Sequence, residues 1–265
     1  MGIRLRAARK LRVMFSPHGP TLRELAVQAL SSVEHGYDLL APTFDHTPFR
    51  TSAAVLDAVE DALAARGPFD HGLDLCCGTG AGMDVLRTVC RRSVTGVDFS
   101  AGMLTMGRDR VRAEGSPQVA WVRGDARALP FGPVFDVVVS FGAFGHFRPG
   151  ELPGLFAQVY SVLRPGGTFA FPIGAPPRPT SPWYWALLGF DTVMRVRNAL
   201  WRPPFVMYYR AFRFGEVRRE LARAGFTVEH QALPDFGHRP DGSPRCRLIV
   251  ATRAVESGSG SASSG

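Results

Sequence analysis

Apolar residues along the chain follow two spacings, one typical of helices and one typical of buried strands. Over residues 51–65 they recur every three or four positions, and Gly67-Pro68 ends that pattern. Over residues 135–140 three valines follow one another, which indicates a strand buried on both faces. Together these patterns predict helices over 22–33, 51–65, 81–90, 101–113, 152–163 and 215–224, and strands over 73–76, 94–97, 119–122, 135–140, 168–173, 227–233 and 247–252.

The alternation of strands and helices predicts the fold class. We expect an α/β, Rossmann-like domain with a seven-stranded, mostly parallel sheet and helices on both faces. Right-handed crossovers bring the loops at the carboxyl ends of such strands to one crevice, where ligands bind. Gly78, Asp98, Asp125 and Ser140 all lie at predicted strand ends, so the crevice is the expected site.

The pattern changes after residue 173. Residues 174–182 contain four prolines, and residues 183–214 contain ten of the 28 aromatic residues. We therefore predict an aromatic cap insertion at about 174–213 within a main domain spanning 35–256. A helical extension over 1–34 is expected before that domain. The Ser, Gly and Ala residues of 257–265 are expected to form a flexible tail.

Composition excludes several classes of protein. A chain of 265 residues with 45% hydrophobic and 20% charged residues is typical of a globular protein. It has no apolar run long enough for a transmembrane helix, and no apolar segment near its start that would indicate a signal peptide. The four cysteines fit no zinc spacing, so we expect no metal, and reduced thiols favour a cytoplasmic location.

The large positive net charge of the chain says little about its binding partners. The formal net charge is +8, but 30 of the 31 basic residues are arginine and only Lys10 is lysine. Such a bias is typical of a GC-rich genome, so it does not by itself indicate a nucleic-acid partner. No nucleic acid is expected as a partner, and the oligomeric state is left open.

A glycine-rich turn over residues 73–82 is the most informative segment. A strand that turns sharply into a helix needs small residues, and the helix amino terminus then offers free N–H groups to a ligand. Glycines stand at 78, 80 and 82, but Met83 occupies the position of the third glycine in the dinucleotide fingerprint G-x-G-x-x-G. The turn therefore argues against a nicotinamide dinucleotide.

Carboxylates end the next two strands. Asp98 is placed to accept hydrogen bonds from ribose hydroxyls, although it could instead cap the following helix. Phe99 and Met103 could pack on an adenine ring or belong to the core. Asp125, beside the backbone N–H of Ala126, could recognise the adenine edge. The order of these residues at successive strand ends is more specific than any one of them.

With these motifs the chain resembles the class I S-adenosylmethionine-dependent methyltransferases, near their ubiquinone/menaquinone-type, small-molecule branch. The resemblance covers residues 35–173 well and 214–253 loosely. It is carried by the segments LDLCCGTG (73–80), VTGVDFSAGML (94–104), GDARALPF (124–131), FDVVVS (135–140) and VLRPGG (162–167).

The resemblance implies that S-adenosyl-L-methionine is the cofactor. Its methionine part would be surrounded by Asp74 and the backbone at Cys76, Gly78 and Gly80. Asp98 would bind the ribose and Phe99 would flank the adenine, whose edge would meet Asp125 and Ala126. Ser140 and Phe141 would line the sulfonium side. The family usually has glycine where Cys76 stands, and a small cysteine is compatible with binding.

The segment YDLLAPTFDH (37–46) is similar to the family's entrance segment, in which an aromatic residue closes over the cofactor. Tyr37 is the candidate for the cofactor and Phe44 for the substrate. A helix packed on the edge of the sheet is an equally good interpretation.

His146 is the candidate general base, because it follows the strand at 135–140 and so lies near the crevice. A hydrogen-bonded loop histidine is the alternative. Trp183, Tyr184, Trp185 and Tyr208 of the aromatic insert are candidates for contacting a small hydrophobic or aromatic acceptor, such as a quinone precursor, a lipid or a secondary metabolite.

Three other interpretations stay open. The insert, with its tryptophans and arginines, could lie on a membrane surface, helped by basic residues within 1–19, or it could pack on the domain. The chain could bind the cofactor without transferring a methyl group. RNA methylation is the third alternative, and the apolar insert argues against it.

Overall fold

A computed structural model of the chain describes residues 20–47, 49–111, 115, 117–208 and 212–255. The predicted tail at 257–265 and the basic residues within 1–19 lie outside the described residues. The helices are α1 (Leu22–Leu30), α2 (Val33–Leu40), α3 (Ala53–Ala64), α4 (Ala81–Val89), α5 (Ala101–Arg110), α6 (Leu152–Val162), α7 (Pro182–Leu200) and α8 (Phe214–Arg223). The strands are β1 (Phe69–Leu75), β2 (Cys90–Asp98), β3 (Gln118–Arg123), β4 (Phe135–Val139), β5 (Leu163–Gly174), β6 (Phe226–Ala232) and β7 (Cys246–Arg253).

These strands form one seven-stranded sheet in the order β3-β2-β1-β4-β5-β7-β6. Strands β1 to β5 pair in parallel, and β7 runs antiparallel between β5 and β6. The predicted fold class is therefore confirmed. The chain order reverses beside β1, since β2 lies on one side of it and β4 on the other. This is the position at which open α/β sheets form their ligand crevice.

Two layers of apolar side chains cover the faces of the sheet. Val138 of β4 belongs to the layer that contains α6 and α8. Its neighbours Val137 and Val139 belong to the layer that contains α3 and α4. All three valines are fully buried. The three-valine run thus forms a strand covered on both faces, as its composition predicts, and it fixes the middle of the sheet beneath the crevice.

The structure corrects four predicted boundaries, one of which is the start of β2 at Cys90 rather than at residue 94. The helix predicted over 22–33 is two helices, because Ser32 caps α2 by accepting a hydrogen bond from the His35 N–H. Strand β1 begins at Phe69, well before its predicted start. There the Asp136 carboxylate accepts hydrogen bonds from the N–H groups of Asp70 and His71, so polar residues continue the strand. Strand β5 likewise begins at Leu163, before its predicted start at residue 168.

Among the described residues, no helix has the length and apolar character that crossing a bilayer requires.

Candidate functional site

The glycine turn joins β1 to α4 at the carboxyl end of the sheet. Its backbone takes left-handed conformations at Cys76, Gly78 and Gly80, with φ of 57°, 52° and 87°. A Cβ at Gly78 would meet no atom within 4 Å, whereas one at Gly80 would lie 2.5 Å from the Trp121 ring. Gly80 is therefore required by packing, and Gly78 leaves open space beside the turn. The sequence predicts such an open approach to the backbone.

Among the described residues, Cys76 is the one residue other than glycine whose φ is positive. A left-handed conformation costs an L-residue about 1–2 kcal/mol, and glycine avoids that cost. We expect Cys76→Gly to raise the free energy of unfolding by up to about 1 kcal/mol, since the lost thiol packing offsets part of the gain. Urea denaturation measures the change. Cys90→Gly is the control, because Cys90 is buried in the core, and it should lower stability. A lower stability for both variants would contradict the account.

Asp74 is buried beneath the turn, with 1% of its surface exposed. A Cβ on Gly82 would lie 2.6 Å from its carboxyl atoms, so only glycine lets this group approach the first turn of α4. The Met83 N–H donates to the carboxyl group, but Oδ2 has no hydrogen-bond partner among the described residues. Burial, and then the nearby charge of Asp98, raise the pKa of Asp74 well above its usual value. The turn therefore holds an unsatisfied buried acceptor.

Asp98 ends β2 and links the glycine turn to α5. Its Oδ2 accepts a hydrogen bond from the Gly78 N–H at 2.9 Å, and Oδ1 accepts one from the Ser100 N–H at 2.9 Å. Burial raises the pKa of Asp98, while the backbone hydrogen bonds oppose that shift. Ser100, rather than Asp98, caps α5 by accepting from the Met103 N–H. Each Asp98 oxygen retains a lone pair for a further donor.

Helix α2 and the 3-10 helix Ala41–His46 lie against this end of the sheet. Asp38 accepts hydrogen bonds from the Ser100 hydroxyl at 2.6 Å and from the Gly102 N–H at 2.8 Å. Asp45 accepts one from the Thr79 hydroxyl at 2.8 Å. Both carboxylates hold the entrance segment against the crevice. Sequence reasoning missed them, although both lie in the segment that resembles the family's entrance.

His146 follows β4 in the short helix Ala143–His146. Its Nδ1 lies 2.8 Å from the Val206 carbonyl oxygen and its Nε2 lies 2.7 Å from the Tyr37 hydroxyl. A carbonyl only accepts, so Nδ1 donates and Nε2 accepts the Tyr37 proton. Burial lowers the pKa of His146, which favours this neutral form. The loop-histidine alternative fits this geometry, and a direct base role would require Tyr37 to move away.

We expect Tyr37→Phe to lower the free energy of unfolding by about 0.5–1.5 kcal/mol, because it removes the hydrogen bond that the half-buried His146 Nε2 accepts. Chemical denaturation measures the change. Tyr160→Phe is a matched control: its ring packs under the Arg253 guanidinium, and the ring is retained. That control should change stability by less than about 0.5 kcal/mol. Equal effects of the two substitutions would show that the Tyr37 hydroxyl adds nothing.

Of the other predicted cofactor residues, Met103 lies in α5 and the rest lie at strand ends. The Asp125 carboxylate is held by Arg127, with the shortest contact at 2.7 Å to Nη2. Although burial raises the pKa of Asp125, the hydrogen bonds from Arg127 bring it below its usual value. Ala126 is buried, and Phe99 and Phe141 are half-buried. The Ser140 hydroxyl donates to the Leu75 carbonyl. Met103 is 1% exposed, as its core alternative expects.

The predicted substrate residues do not all lie near one another. Trp183 and Trp185 are 59% and 61% exposed on α7. Tyr208 is buried, and its hydroxyl accepts a hydrogen bond from the Asn198 side chain. Tyr184 and Phe44 are half-buried, and the Phe44 ring lies 6.2 Å from the Tyr37 ring. Phe44 is thus the candidate beside the His146 pair, while the two tryptophans face outward.

No group of three or more His, Cys, Asp and Glu side chains within the described residues is arranged to hold a metal ion.

Residues 73–167 match the family described as methyltransferase domain. A 2-phytyl-1,4-naphtoquinone methyltransferase from Thermosynechococcus vestitus is 37% identical over 103 residues, which cover 37% of this chain and 43% of that protein. A demethylmenaquinone methyltransferase from Symbiobacterium thermophilum is 32% identical over 162 residues, covering 58% of this chain and 61% of that protein. The matched segment thus spans less than two thirds of each relative.

Solved structures share the fold at lower identity. The YcgJ protein from Bacillus subtilis is 16% identical and aligns with a TM-score of 0.56 over 77% of this chain and 99% of its own. Magnesium protoporphyrin IX methyltransferase from Synechocystis PCC 6803, solved with bound SAH, is 21% identical with a TM-score of 0.53, over 75% of this chain and 81% of its own.

Proposed function

We propose that the chain transfers a methyl group from S-adenosyl-L-methionine to a small hydrophobic acceptor of the quinone type, a proposal supported by the match of residues 73–167 to the family described as methyltransferase domain. The observation that carries the proposal is the buried Asp74 carboxyl beside an open glycine turn, because its Oδ2 has no hydrogen-bond partner among the described residues and fits a cationic ligand group. Ribose and adenine then have acceptors at the next two strand ends.

The residues present fit the cofactor. Asp74 would accept from the ammonium group of the methionine part, which satisfies its free oxygen. The open backbone at Gly78 and the lone pairs of Asp98 would meet the ribose hydroxyls. Phe99 would flank the adenine, and the Ala126 N–H would bind its edge together with Asp125. Arg127 already donates to the Asp125 carboxylate. That carboxylate would therefore have to accept from the adenine edge with a lone pair that Arg127 leaves free.

The bound cofactor supplies a methyl group activated on a sulfonium sulfur. The chain's residues then have to align the acceptor and exclude water, and positioning alone is worth roughly 7–11 kcal/mol of barrier. The Tyr37–His146 hydrogen bond joins the entrance helix to the loop after β4, so it fixes two sides of the crevice relative to each other. A proton released by the acceptor would reach His146 through the Tyr37 hydroxyl.

The acceptor class is supported by the relatives. Two of them are named for a naphthoquinone or a menaquinone precursor. Other relatives, at 38% and 40% identity, are named for C-methylation in ubiquinone and menaquinone biosynthesis. We propose an acceptor of that kind, with an aromatic ring and an apolar chain. A cytoplasmic location is part of the proposal, because all four cysteines are free.

The proposal is tested by turnover with S-adenosylmethionine labelled in its methyl group. The acceptor is a 2-prenyl-1,4-naphthoquinone, supplied both oxidised and chemically reduced, and the extracted product is analysed by mass spectrometry. We expect a labelled ring-methylated product with the wild type and, at limiting cofactor concentration, less of it with Asp98→Ala. Cofactor binding without any labelled product from quinones, phenols or lipids would instead support a binding protein that transfers no methyl group.

A further inference from the structure

We propose that one face of α7 docks onto the surface of an anionic lipid bilayer. We call it the outer face, and it consists of Trp185, Ala186, Gly189, Val193, Val196 and Leu200, which fall on one side of the helix at its 3.6-residue period. This proposal does not depend on methyl transfer, since it concerns how the chain is held rather than what it catalyses.

The outer face is apolar and exposed. Val193, Val196 and Leu200 are 65%, 53% and 81% exposed, and none of the six residues carries a charge. A helix at a protein surface normally presents its polar side to water. Here that arrangement is reversed, so an apolar stripe about four turns long faces away from the domain. Large exposed apolar patches mark surfaces that bind something else.

The polar residues of α7 face inward instead. Asp191 and Asn198 are 5% and 6% exposed. The Asn198 side chain donates to the Phe205 carbonyl and accepts from the Phe205 N–H, so it fixes the following segment against the helix. Met194 packs beside it on Phe205 and Val206. Because this inner side is satisfied, the helix cannot rotate to bury its outer face without breaking these bonds.

Positive charge lies beside the outer face. A cleft of about 440 Å³ is lined by Arg148, Arg195 and Arg202 together with Pro149, Asn198, Ala199 and Tyr208. No acidic residue is among those lining it. Arg195 lies over the Tyr208 ring, at 4.6 Å from its centroid, which leaves its charge uncancelled. Three guanidinium groups in an open cleft are complementary to the phosphates of anionic headgroups.

Tryptophan reinforces the choice of a lipid surface. Trp183, Trp185 and Trp201 are each more than half exposed, and they lie at the two ends of α7. An indole places its apolar body among acyl chains and its N–H at the headgroup level. The Trp185 N–H already donates to the Pro179 carbonyl, so this residue would contribute its ring alone. A helix with an apolar face, terminal tryptophans and flanking arginines has the character of a helix that lies in the plane of a membrane surface.

A second copy of the chain fits the same face less well. A two-fold dimer brings the same patch of each copy together, so the arginines that flank the outer face would approach their own counterparts. Like charges at an interface oppose association unless acidic groups intervene, and the cleft lining offers none.

Docking would set the bilayer above the candidate site. The inner side of α7 packs on Val206, and the Val206 carbonyl oxygen holds His146. Helix α7 and the segment at 205–208 therefore lie between the outer face and the loop that contains His146.

The test is sedimentation of the full chain with vesicles of phosphatidylcholine alone and with vesicles containing 30% phosphatidylglycerol, a composition chosen because surface potential acts on basic residues. We expect binding to the anionic vesicles that weakens as salt is added. Val193→Asp combined with Leu200→Asp should reduce it at least tenfold. Both residues are exposed, so circular dichroism should show an unchanged fold. Arg195→Gln with Arg202→Gln should weaken anionic binding and its salt dependence.

Val134→Asp is the matched control, because Val134 is an exposed valine next to the amino end of β4, at the opposite end of the parallel strands from the crevice. It should bind vesicles like the wild type. Three outcomes would overturn the proposal. They are no sedimentation of folded wild type with anionic vesicles, equal binding by the Val193→Asp/Leu200→Asp variant, and a wild-type dimer that this variant converts to a monomer. The last outcome would make the face a subunit interface.

Discussion

Asp98→Ala is expected to weaken the binding of S-adenosylmethionine by about 1–3 kcal/mol, or roughly 5–150-fold. In the structure the carboxylate accepts from the N–H groups of Gly78 and Ser100 and keeps lone pairs free for ribose hydroxyls. Removing it deletes those acceptors and loosens the glycine turn against β2. We therefore expect a loss of stability together with the loss of affinity. Isothermal titration and urea denaturation measure the two quantities.

Asp136→Ala is the control that separates the two effects. Asp136 also accepts two backbone N–H hydrogen bonds, from Asp70 and His71, but it does so where β1 begins, away from the crevice. It should lower stability to a similar extent and leave the dissociation constant unchanged. If both variants bound the cofactor like the wild type, Asp98 would have only a structural role.

Asp74→Asn is expected to change binding and stability in opposite directions. Without the carboxylate, the charge-assisted hydrogen bond to a cationic ligand group is lost. The free energy of binding should then become less favourable by about 1.5–3 kcal/mol, so the dissociation constant should rise roughly 10–150-fold. In the ligand-free chain burial opposes ionisation of this carboxyl, so at pH values above the raised pKa of Asp74 the substitution should raise the free energy of unfolding. Substitution of a residue with only a structural role would not lower cofactor affinity while raising the free energy of unfolding.

The pH dependence follows from the raised pKa of Asp74. A group whose folded pKa lies above its unfolded value contributes stability below the unfolded pKa, and this contribution is lost as pH rises through the folded value. The ligand-free wild type should therefore lose part of its stability as pH rises through the folded pKa of Asp74. The Asp74→Asn variant should not show this loss. Binding of a cation to the ionised form should release a proton in acidic buffer.

Asp84→Asn serves as the control for both measurements. Asp84 lies in the same helix turn but is half-exposed, and it pairs with Arg110 at 2.8 Å. Losing that surface pair should cost less than about 1 kcal/mol. If Asp74→Asn lowered the stability of the ligand-free chain and left affinity unchanged, the Asp74 carboxyl would be a structural group and our assignment would fail.

Local sequence patterns were sufficient to predict the structure at the centre of the fold. The three valines of β4 predict a strand covered on both faces, and such a strand can only lie in the middle of an α/β sheet. The glycines at 78 and 80 predict a sharp turn, and the structure gives both a positive φ. Since Asp98 ends the next strand, its place beside that turn followed from topology alone.

Contacts between distant segments could not be predicted from the sequence. Tyr37 and His146 are 109 residues apart, so nothing in their neighbourhoods indicates that one donates to the other. The hydrogen bond that the Ser100 hydroxyl donates to Asp38 also joins distant segments. The aromatic insert shows a different difficulty. Its composition indicates an apolar surface, but composition does not specify whether Trp185 faces the crevice or the solvent.

The central claim is that the crevice binds S-adenosylmethionine, and calorimetric titration of the purified chain tests it most directly. S-adenosylmethionine, S-adenosylhomocysteine and NAD are titrated in turn into folded protein. The account predicts micromolar binding of the two sulfur compounds and no binding of NAD, because Met83 replaces the third fingerprint glycine. Binding of NAD, or a folded chain that binds neither sulfur compound, would contradict it.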